Sequence, residues 1–244
     1  HISKRSIVGV ANDDKDNLFA IKICGLDKDS EFDYEIEMIH QLQEHPNILL
    51  PVLIDRDIKS NELFIISSLG ERLDHDIKLP LSETMYLQLL DDISNAFMYL
   101  HNKSLLYRDL HPGNVVLFDE KFKLIDFEGL CHEGTDWFPL GNLMFSSVMH
   151  MTGEPPNRYD DYESLFYLFS YCKYGTLPWL ELNETVEICR EKLSFLNKEI
   201  EYVFFSNIVE PIKENLNKVK VSRSKFYGMS KDISDVLLQW TKTK

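Results

Sequence analysis

One stretch constrains this chain more than any other. Between Asp161 and Tyr174, Leu165, Phe166, Leu168, Phe169 and Cys172 leave a helix almost no polar face. A helix that is apolar nearly all round has to be buried, so the chain must build a globule thick enough to surround it. The composition supplies the material: 44% of the 244 residues are hydrophobic and 12% aromatic. Such a chain is not disordered, and ten glycines with nine prolines are too few for a collagenous or low-complexity one. The length fits one large domain or two small lobes. No apolar run reaches the ~18 residues of a membrane span, so no membrane partner is expected. Lys and Arg number 26 against 40 Asp and Glu, for a net charge of −14. Contacts to nucleic-acid phosphates need a basic footprint, so no nucleic-acid partner is expected either. The expectation is a soluble, acidic, globular protein.

Two textures follow one another along the chain. Up to about Leu69, short β-like runs (Leu18–Ile23 and Leu63–Ile66) flank one helix, Phe32 to Leu42, with Phe32, Ile36, Ile39 and Leu42 on one face. His45-Pro46-Asn47 closes it, because Pro46 cannot continue a helix. From Ser82, a plausible N-cap, the pattern turns helical: Met85, Leu89, Ile93 and Phe97 recur every four residues, ending near His101-Asn102-Lys103. Two strand-like stretches, Asn114–Phe118 and Phe122–Phe127, are joined by the turn-like Asp119-Glu120-Lys121. Cys24, Cys131, Cys172 and Cys189 are widely spaced and form no Cys-x-x-Cys pair, which disfavours zinc and, in a domain of this size, a disulfide framework. They read as reduced thiols, and the expected compartment is the cytoplasm or nucleus. Asn183-Glu184-Thr185 fits a glycosylation sequon of a kind that arises often by chance. The chain opens on His1 rather than Met, so the lack of a targeting signal carries no weight.

The sharpest chemical signal is Tyr107-Arg108-Asp109-Leu110-His111-Pro112-Gly113-Asn114, followed by Ile125-Asp126-Phe127-Glu128. Asp and Asn stand five positions apart, and Asp126 comes twelve residues after Asn114. Phosphoryl transfer needs these types: one Asp to accept a hydroxyl proton, and an Asn with a second Asp to hold Mg²⁺ on phosphates. Upstream, Phe19-Ala20-Ile21-Lys22 ends on a lysine, and Glu35 follows thirteen residues later on the expected helix. Each element has a bland alternative. Lys22 can be a strand-end surface lysine, Glu35 a solvated helix charge, and Asp109 with Asn114 simple turn chemistry. The ordered series Lys22, Glu35, Asp109, Asn114, Asp126 is much harder to produce by accident.

These segments resemble the protein kinase superfamily over essentially the whole chain, and within it the casein kinase one group with its vaccinia-related relatives. The finer resemblance is carried by Gly141-Asn142-Leu143-Met144-Phe145-Ser146-Ser147, by Arg158-Tyr159-Asp160-Asp161-Tyr162-Glu163-Ser164-Leu165 and by Gly175-Thr176-Leu177-Pro178-Trp179. It implies a two-lobed α+β fold: residues 1–69 as a β-rich small lobe with the regulatory helix, and 70–244 as a helical lobe with the catalytic loop and activation segment. It implies a Ser/Thr protein kinase that uses ATP and Mg²⁺ on protein hydroxyls, its own included. Asp109 is then the catalytic base, Lys22 the phosphate-binding lysine paired with Glu35, and Asn114 and Asp126 the metal ligands. Ala20 and Val116 would sandwich adenine, with Ile66 as gatekeeper, Leu69 as the backbone contact and Ile125 lining the same site. Asp161 would accept backbone N–H bonds from the catalytic loop.

Several positions depart from the family pattern. The stretch before the lysine strand, Ile2 to Val10, has no Gly-x-Gly-x-x-Gly, so either the first strand lies upstream or the phosphate-covering loop is degenerate. Glu128 replaces the glycine of Asp-Phe-Gly and adds negative charge near the metal. Tyr107 replaces the usual His, and His111 stands where a Lys commonly meets the transferred phosphate. The His-Pro-Gly-Asn run is also similar to that of aminoglycoside-type small-molecule kinases, and a pseudokinase acting as a nucleotide-binding or scaffolding module is the other alternative. The resemblance also implies a basic pocket for acidic substrates near the activation segment; this chain keeps Arg158 there, while its strongly acidic overall charge runs against that preference. Thr135 is the one Ser or Thr between Gly129 and Gly141. With Glu133 or Asp136 offering fixed negative charge to Arg108, the loop is expected to be competent without phosphorylation. Lys213, Lys218, Lys220, Arg223 and Lys225 either dock an acidic partner or form a solvated face. Nothing in the sequence speaks to oligomeric state.

Overall fold

The computed structural model describes residues 6–25, 29–57, 62–135, 141–198 and 212. Asp136, residues 2–5 and the basic cluster from Lys213 to Arg223 and Lys225 lie outside the described residues. Two compact units are distinguished. One comprises the described residues up to Ile77 with Gln88–Ala96 and Gly113–Glu128; the other comprises Lys78–Leu87, Phe97–Pro112 and the described residues from Gly129 onward.

The first unit is built on β1 (Ser6–Asn12), β2 (Leu18–Gly25), α1 (Asp29–His40), β3 (Leu53–Asp57) and β4 (Glu62–Ser68). Its sheet is antiparallel in the order β1-β2-β4-β3. Ser6–Asn12, which takes in the described part of the glycine-poor stretch of residues 2–10, forms a regular strand paired to β2 along its length, from Ser6 opposite Cys24 to Asn12 opposite Leu18. Asp13 closes this hairpin by accepting the N–H groups of Lys15 and Asn17. Cys24, Leu63 and Ile65 make the core under the sheet, with Ile36 of α1 and Ile54 packed against it. The helix expected over Phe32–Leu42 starts earlier and stops at His40; Gln41 and Leu42 close it with tight bonds to Met38 and Ile39 carbonyls before Pro46.

A second sheet joins β5 (Glu71–Arg72), β7 (Val115–Phe118) and β8 (Lys121–Leu124). Asp119 and Glu120 both sit at positive φ (56° and 58°) in the β7–β8 turn, as a two-residue turn matching the twist of its strands requires. The strand expected to run to Phe127 stops at Leu124, because Asp126 takes a left-handed φ of 57° that no strand can continue. Asn47 ties the unit together: its amide donates to Asp92 (2.6 Å) and to the Phe122 carbonyl, while Asp92 accepts the Phe122 N–H (2.9 Å).

In the second unit the apolar helix is α4 (Arg158–Tyr174), buried along most of its length. Asn157 caps it in a reciprocal box with Asp160, and Gly175 ends it at φ 78°. α5 (Thr185–Lys198) and the short α3 (Val148–Met151) pack near it. Trp179 bridges Tyr167 and Phe195 through edge-to-face contacts at 4.9 and 5.3 Å. α2 (Glu83–Asn102), whose middle residues Gln88–Ala96 belong to the first unit, starts where expected, its Ser82 cap accepting the Met85 N–H, and ends at Asn102. A small ladder pairs β6 (Leu105–Leu106) with β9 (Cys131–His132). A β-rich first unit and a helical second one make up the expected α+β class. The four cysteines are free and buried. Among the described residues no helix is long and apolar enough to cross a membrane.

Candidate active site

Strand alternation starts the site in the first unit. Lys22 and Cys24 are two residues apart on β2 and share a face, and that face is covered by α1. Ile36 packs toward Cys24, which brings its neighbour Glu35, itself buried, to Lys22. The ammonium lies 3.1 and 3.2 Å from the two Glu35 oxygens, 3.2 Å from Asp126 Oδ1 and 3.7 Å from Glu128 Oε2. Burial by itself would lower the Lys22 pKa, but Asp126, then Glu35 and Glu128, outweigh it and hold the group firmly protonated. Burial pushes the Glu35 carboxyl up, to about 7, against the downward pull of Lys22. One ammonium among three carboxylates leaves a surplus of negative charge, which suits a cation.

The β7–β8 hairpin places the other first-unit residues. Val115 pairs with Leu124, so Asn114 meets Ile125, whose N–H donates to the Asn114 carbonyl at 3.1 Å. Asn114 is buried at the end of the turn Pro112–Asn114, beside the strand end that carries Asp126. Asp126 keeps its left-handed backbone with its carboxylate turned to Lys22 and to the Glu128 N–H at 3.4 Å. Ala20, Ile66, Leu69 and Ile125 are half-buried in this unit, and Val116 is buried. Gly70 is required there: a Cβ would lie 2.9 Å from Val116 Cβ and 3.0 Å from the Leu117 carbonyl. Among the described residues, no group of three or more His, Cys, Asp or Glu is arranged to hold a metal. An ion at this place would rest on a carboxylate and an amide oxygen, a donor set that fits Mg²⁺, which keeps waters and phosphate oxygens in its shell.

Asp109 and His111 belong to the second unit. Asp109 Oδ1 accepts the N–H of Asn142 at 3.1 Å, and its Oδ2 lies 3.8 Å from His111 Nε2. Gly141 allows this approach: its φ is 95°, and a Cβ would stand 3.1 Å from the Arg108 carbonyl and 3.3 Å from Asp109 Oδ1. Arg108 is held at φ 69°. Asp161, fully buried, makes this possible by accepting the N–H groups of Tyr107 (3.0 Å) and Arg108 (2.9 Å), with His101 Nε2 at 2.8 Å. The contact implied for Asp161 is thus present.

Two surroundings differ from expectation. Glu133 accepts three bonds from Arg158, from Nε at 3.2 Å, Nη2 at 2.7 Å and the backbone N–H at 3.4 Å; its hydrogen-bonded partner is therefore Arg158 rather than Arg108. The same pair engages Arg158, the basic residue assigned to a pocket for acidic substrates. The hydrogen bond from Arg158 leads the interactions that lower the Glu133 pKa. Sequence reasoning also passed over His101 and Asn142. His101 carried no signal beyond its place at a helix end. Asn142 sat in a quoted segment, but its contribution is a backbone N–H, which residue type does not reveal.

Comparison with known proteins agrees with this geometry. The family model for the protein kinase domain matches residues 5–152, more than half of the chain. Death-associated protein kinase 2 of Mus musculus is 27% identical over 208 residues, covering 80% of this chain and 55% of that protein. The phosphorylase b kinase gamma catalytic chain (liver/testis isoform) of Bos taurus is 33% identical over 103 residues, 40% of this chain and 25% of that protein. A probable serine/threonine-protein kinase of Dictyostelium discoideum is 35% identical over 106 residues, 41% of this chain and 20% of that protein. The chain thus spans between a fifth and about half the length of these curated relatives. The lysine–glutamate pair on β2 and α1, the hairpin that seats Asn114 near Asp126, and a match over more than half of its length together make this chain a member of the protein kinase domain family.

Proposed function

We propose that this chain catalyses transfer of the γ-phosphoryl group of ATP to Ser or Thr hydroxyls of proteins, in a Mg²⁺-dependent reaction. The observation that carries the reading is the Lys22 ammonium held between Glu35 and Asp126 at 3.1–3.2 Å. Lys22 binds the α/β-phosphates with Glu35 fixing its direction, and Asn114 and Asp126 supply oxygens to Mg²⁺. When bound, Mg²⁺ neutralises charge that develops on the phosphates. Asp109 accepts the substrate hydroxyl proton, and His111 beside it contacts the transferred group. Ala20, Ile66, Leu69, Val116 and Ile125 line the adenine site. Residues 1–69 form the nucleotide-binding lobe and 70–244 the lobe that holds the protein substrate. The order of segments from Gly141 to Trp179 supports membership of the casein kinase one and vaccinia-related group, and the buried reduced thiols support a cytoplasmic or nuclear setting.

The test is incubation with radiolabelled ATP, Mg²⁺ and generic protein substrates, comparing the parent with Asp126→Asn. Label on protein from the parent and none from the variant is expected; no label from a folded parent overturns the reading. A second reading, a nucleotide-binding pseudokinase, is favoured by Glu128. Its carboxylate stands 3.7 Å from Lys22 and competes with phosphate for the ammonium. Mg²⁺-dependent thermal stabilisation by ATP without transfer is its signature.

A further inference from the structure

Lys192 of α5 is fully buried, and an ammonium that deep is costly unless every proton finds an acceptor. Its acceptors are unusual for a buried cation. Nζ donates to the carbonyls of Leu143 (2.8 Å) and Ser146 (2.5 Å), approaches Met151 Sδ at 3.9 Å, and lies over the rings of Tyr167 and Trp179 at 5.0 and 5.7 Å. The negative charge that acts on it most is that of Glu163. Its Oε1 is occupied by the Val148 N–H (2.8 Å) and the Tyr167 hydroxyl (2.5 Å). Burial pushes the Lys192 ammonium down, to about 7, while Glu163 and Cys189 pull it back up. An amine donates to carbonyls in either protonation state.

Leu143 and Ser146 belong to a turn with bonds of its own. The Asn142 carbonyl accepts from Phe145 N (3.0 Å) and Ser146 N (2.8 Å), and its side-chain oxygen accepts from Met144 N (2.9 Å). Trp179 Nε1 donates to the Met144 carbonyl at 2.7 Å. The N–H that leads this turn, that of Asn142, is the one given to Asp109 Oδ1. The turn, gripped from behind by Lys192, therefore presents its leading N–H to the carboxylate that the proposed reaction uses as base.

We infer that Lys192 is a positioning residue for phosphoryl transfer: by holding the Leu143 and Ser146 carbonyls it fixes the turn whose Asn142 N–H orients the Asp109 carboxylate. The inference rests on Asp109 being the base of the proposed reaction. Lys192→Met keeps the length and removes the donors; Lys192→Arg keeps them. Steady-state transfer is measured at varied ATP, and amide hydrogen exchange is followed in the turn and in α4. In Lys192→Met, kcat is expected to fall at least tenfold with KM for ATP within twofold. Amides of Asn142, Phe145 and Ser146 should exchange at least tenfold faster while those of α4 stay as in the parent. Lys192→Arg should recover most of both losses. A Lys192→Met kcat within twofold of the parent overturns the inference. So does exchange that accelerates equally in the turn and α4, which includes failure to fold. A parent that transfers no phosphate overturns the kinase reading alone, and exchange at Asn142 then decides the positioning claim by itself.

Discussion

Replacing Asp161 by Asn exchanges one heavy atom, an oxygen for a nitrogen, at the most constrained point of the catalytic loop. The carboxylate has no solvent exposure. One oxygen serves Tyr107 N and His101 Nε2, and the other serves Arg108 N. An Asn side chain has one acceptor oxygen and one donor nitrogen. If the oxygen stays with Tyr107 and His101, the amide nitrogen faces the Arg108 N–H, donor against donor. A buried N–H without a partner costs about 1–3 kcal/mol, and two bonds that lose their charge assistance lose about 1 kcal/mol each. The sum is about 3–5 kcal/mol. For a chain of this length each kcal/mol moves Tm by about 2–4 °C, so thermal unfolding should come roughly 10 °C earlier. The kinetic effect follows from backbone strain. Arg108 sits at φ 69°, a conformation that costs about 1–3 kcal/mol and persists only when its surroundings enforce it. Freed of its acceptor, Arg108 relaxes and takes Asp109 with it, so transfer should fall more than tenfold while ATP still stabilises the protein. A Tm within 2 °C of the parent (under about 1 kcal/mol) together with retained transfer would refute this account of how Asp161 works.

Three further outcomes are expected. Lys22→Met should reduce transfer at least a hundredfold, about 2.7 kcal/mol of barrier, and abolish ATP-induced thermal stabilisation; turnover that survives would remove Lys22 from the phosphate site. Asp160, buried with Ser147 Oγ donating at 2.6 Å, has its carboxyl pushed up by burial, to about 7, from 3.8. The folded state therefore holds a proton that the unfolded state releases, and stability falls as pH rises from about 4 to about 7; Asp160→Asn should flatten that part of a denaturant-midpoint profile, and an unchanged slope would contradict it. Thr135→Ala and phosphatase treatment should each leave transfer within tenfold of the parent at saturating ATP, because Arg158 already holds Glu133 in the activation segment; a larger loss would make Thr135 phosphorylation a requirement.

What could be read from the sequence, and what could not, divides along physical lines. The helix from Asp161 to Tyr174 was visible because periodicity and apolar content are local properties. Lys22, Glu35, Asn114 and Asp126 were visible because their chemistry depends on side-chain type, and the structure gathers them in one unit. Residues 6–12 were harder: Ile7, Val8 and Val10 are exposed, so β1 shows no clear alternation, and only pairing with β2 makes it a strand. Phe122–Phe127 looked like a continuous strand because residue type does not announce the left-handed φ of Asp126. Asn142, His101 and Lys192 were invisible for one shared reason. Each acts through a backbone group or a residue far away in sequence, and Lys192 reads as an ordinary charge on an amphipathic helix until its tip is located.

The same central helix that demands burial also explains how the catalytic loop is held. α4 begins with three buried acids, Asp160, Asp161 and Glu163. Two of them accept backbone N–H groups of other segments, Asp161 from Tyr107 and Arg108 and Glu163 from Val148, while Asp160 accepts the N–H of Asn157, the helix's own cap, and the Ser147 hydroxyl. Burying three acidic side chains in an apolar setting is expensive, and a helix selected for packing alone would carry none of them. Their cost is offset because backbone N–H groups in tight or left-handed turns have no ladder partner of their own and need an acceptor. A rigid, fully packed helix can supply acceptors at fixed positions, which a solvent-exposed loop cannot. The apolar body of α4 therefore serves the site as much as the core: it anchors the acids that keep Arg108 strained and Asp109 in place.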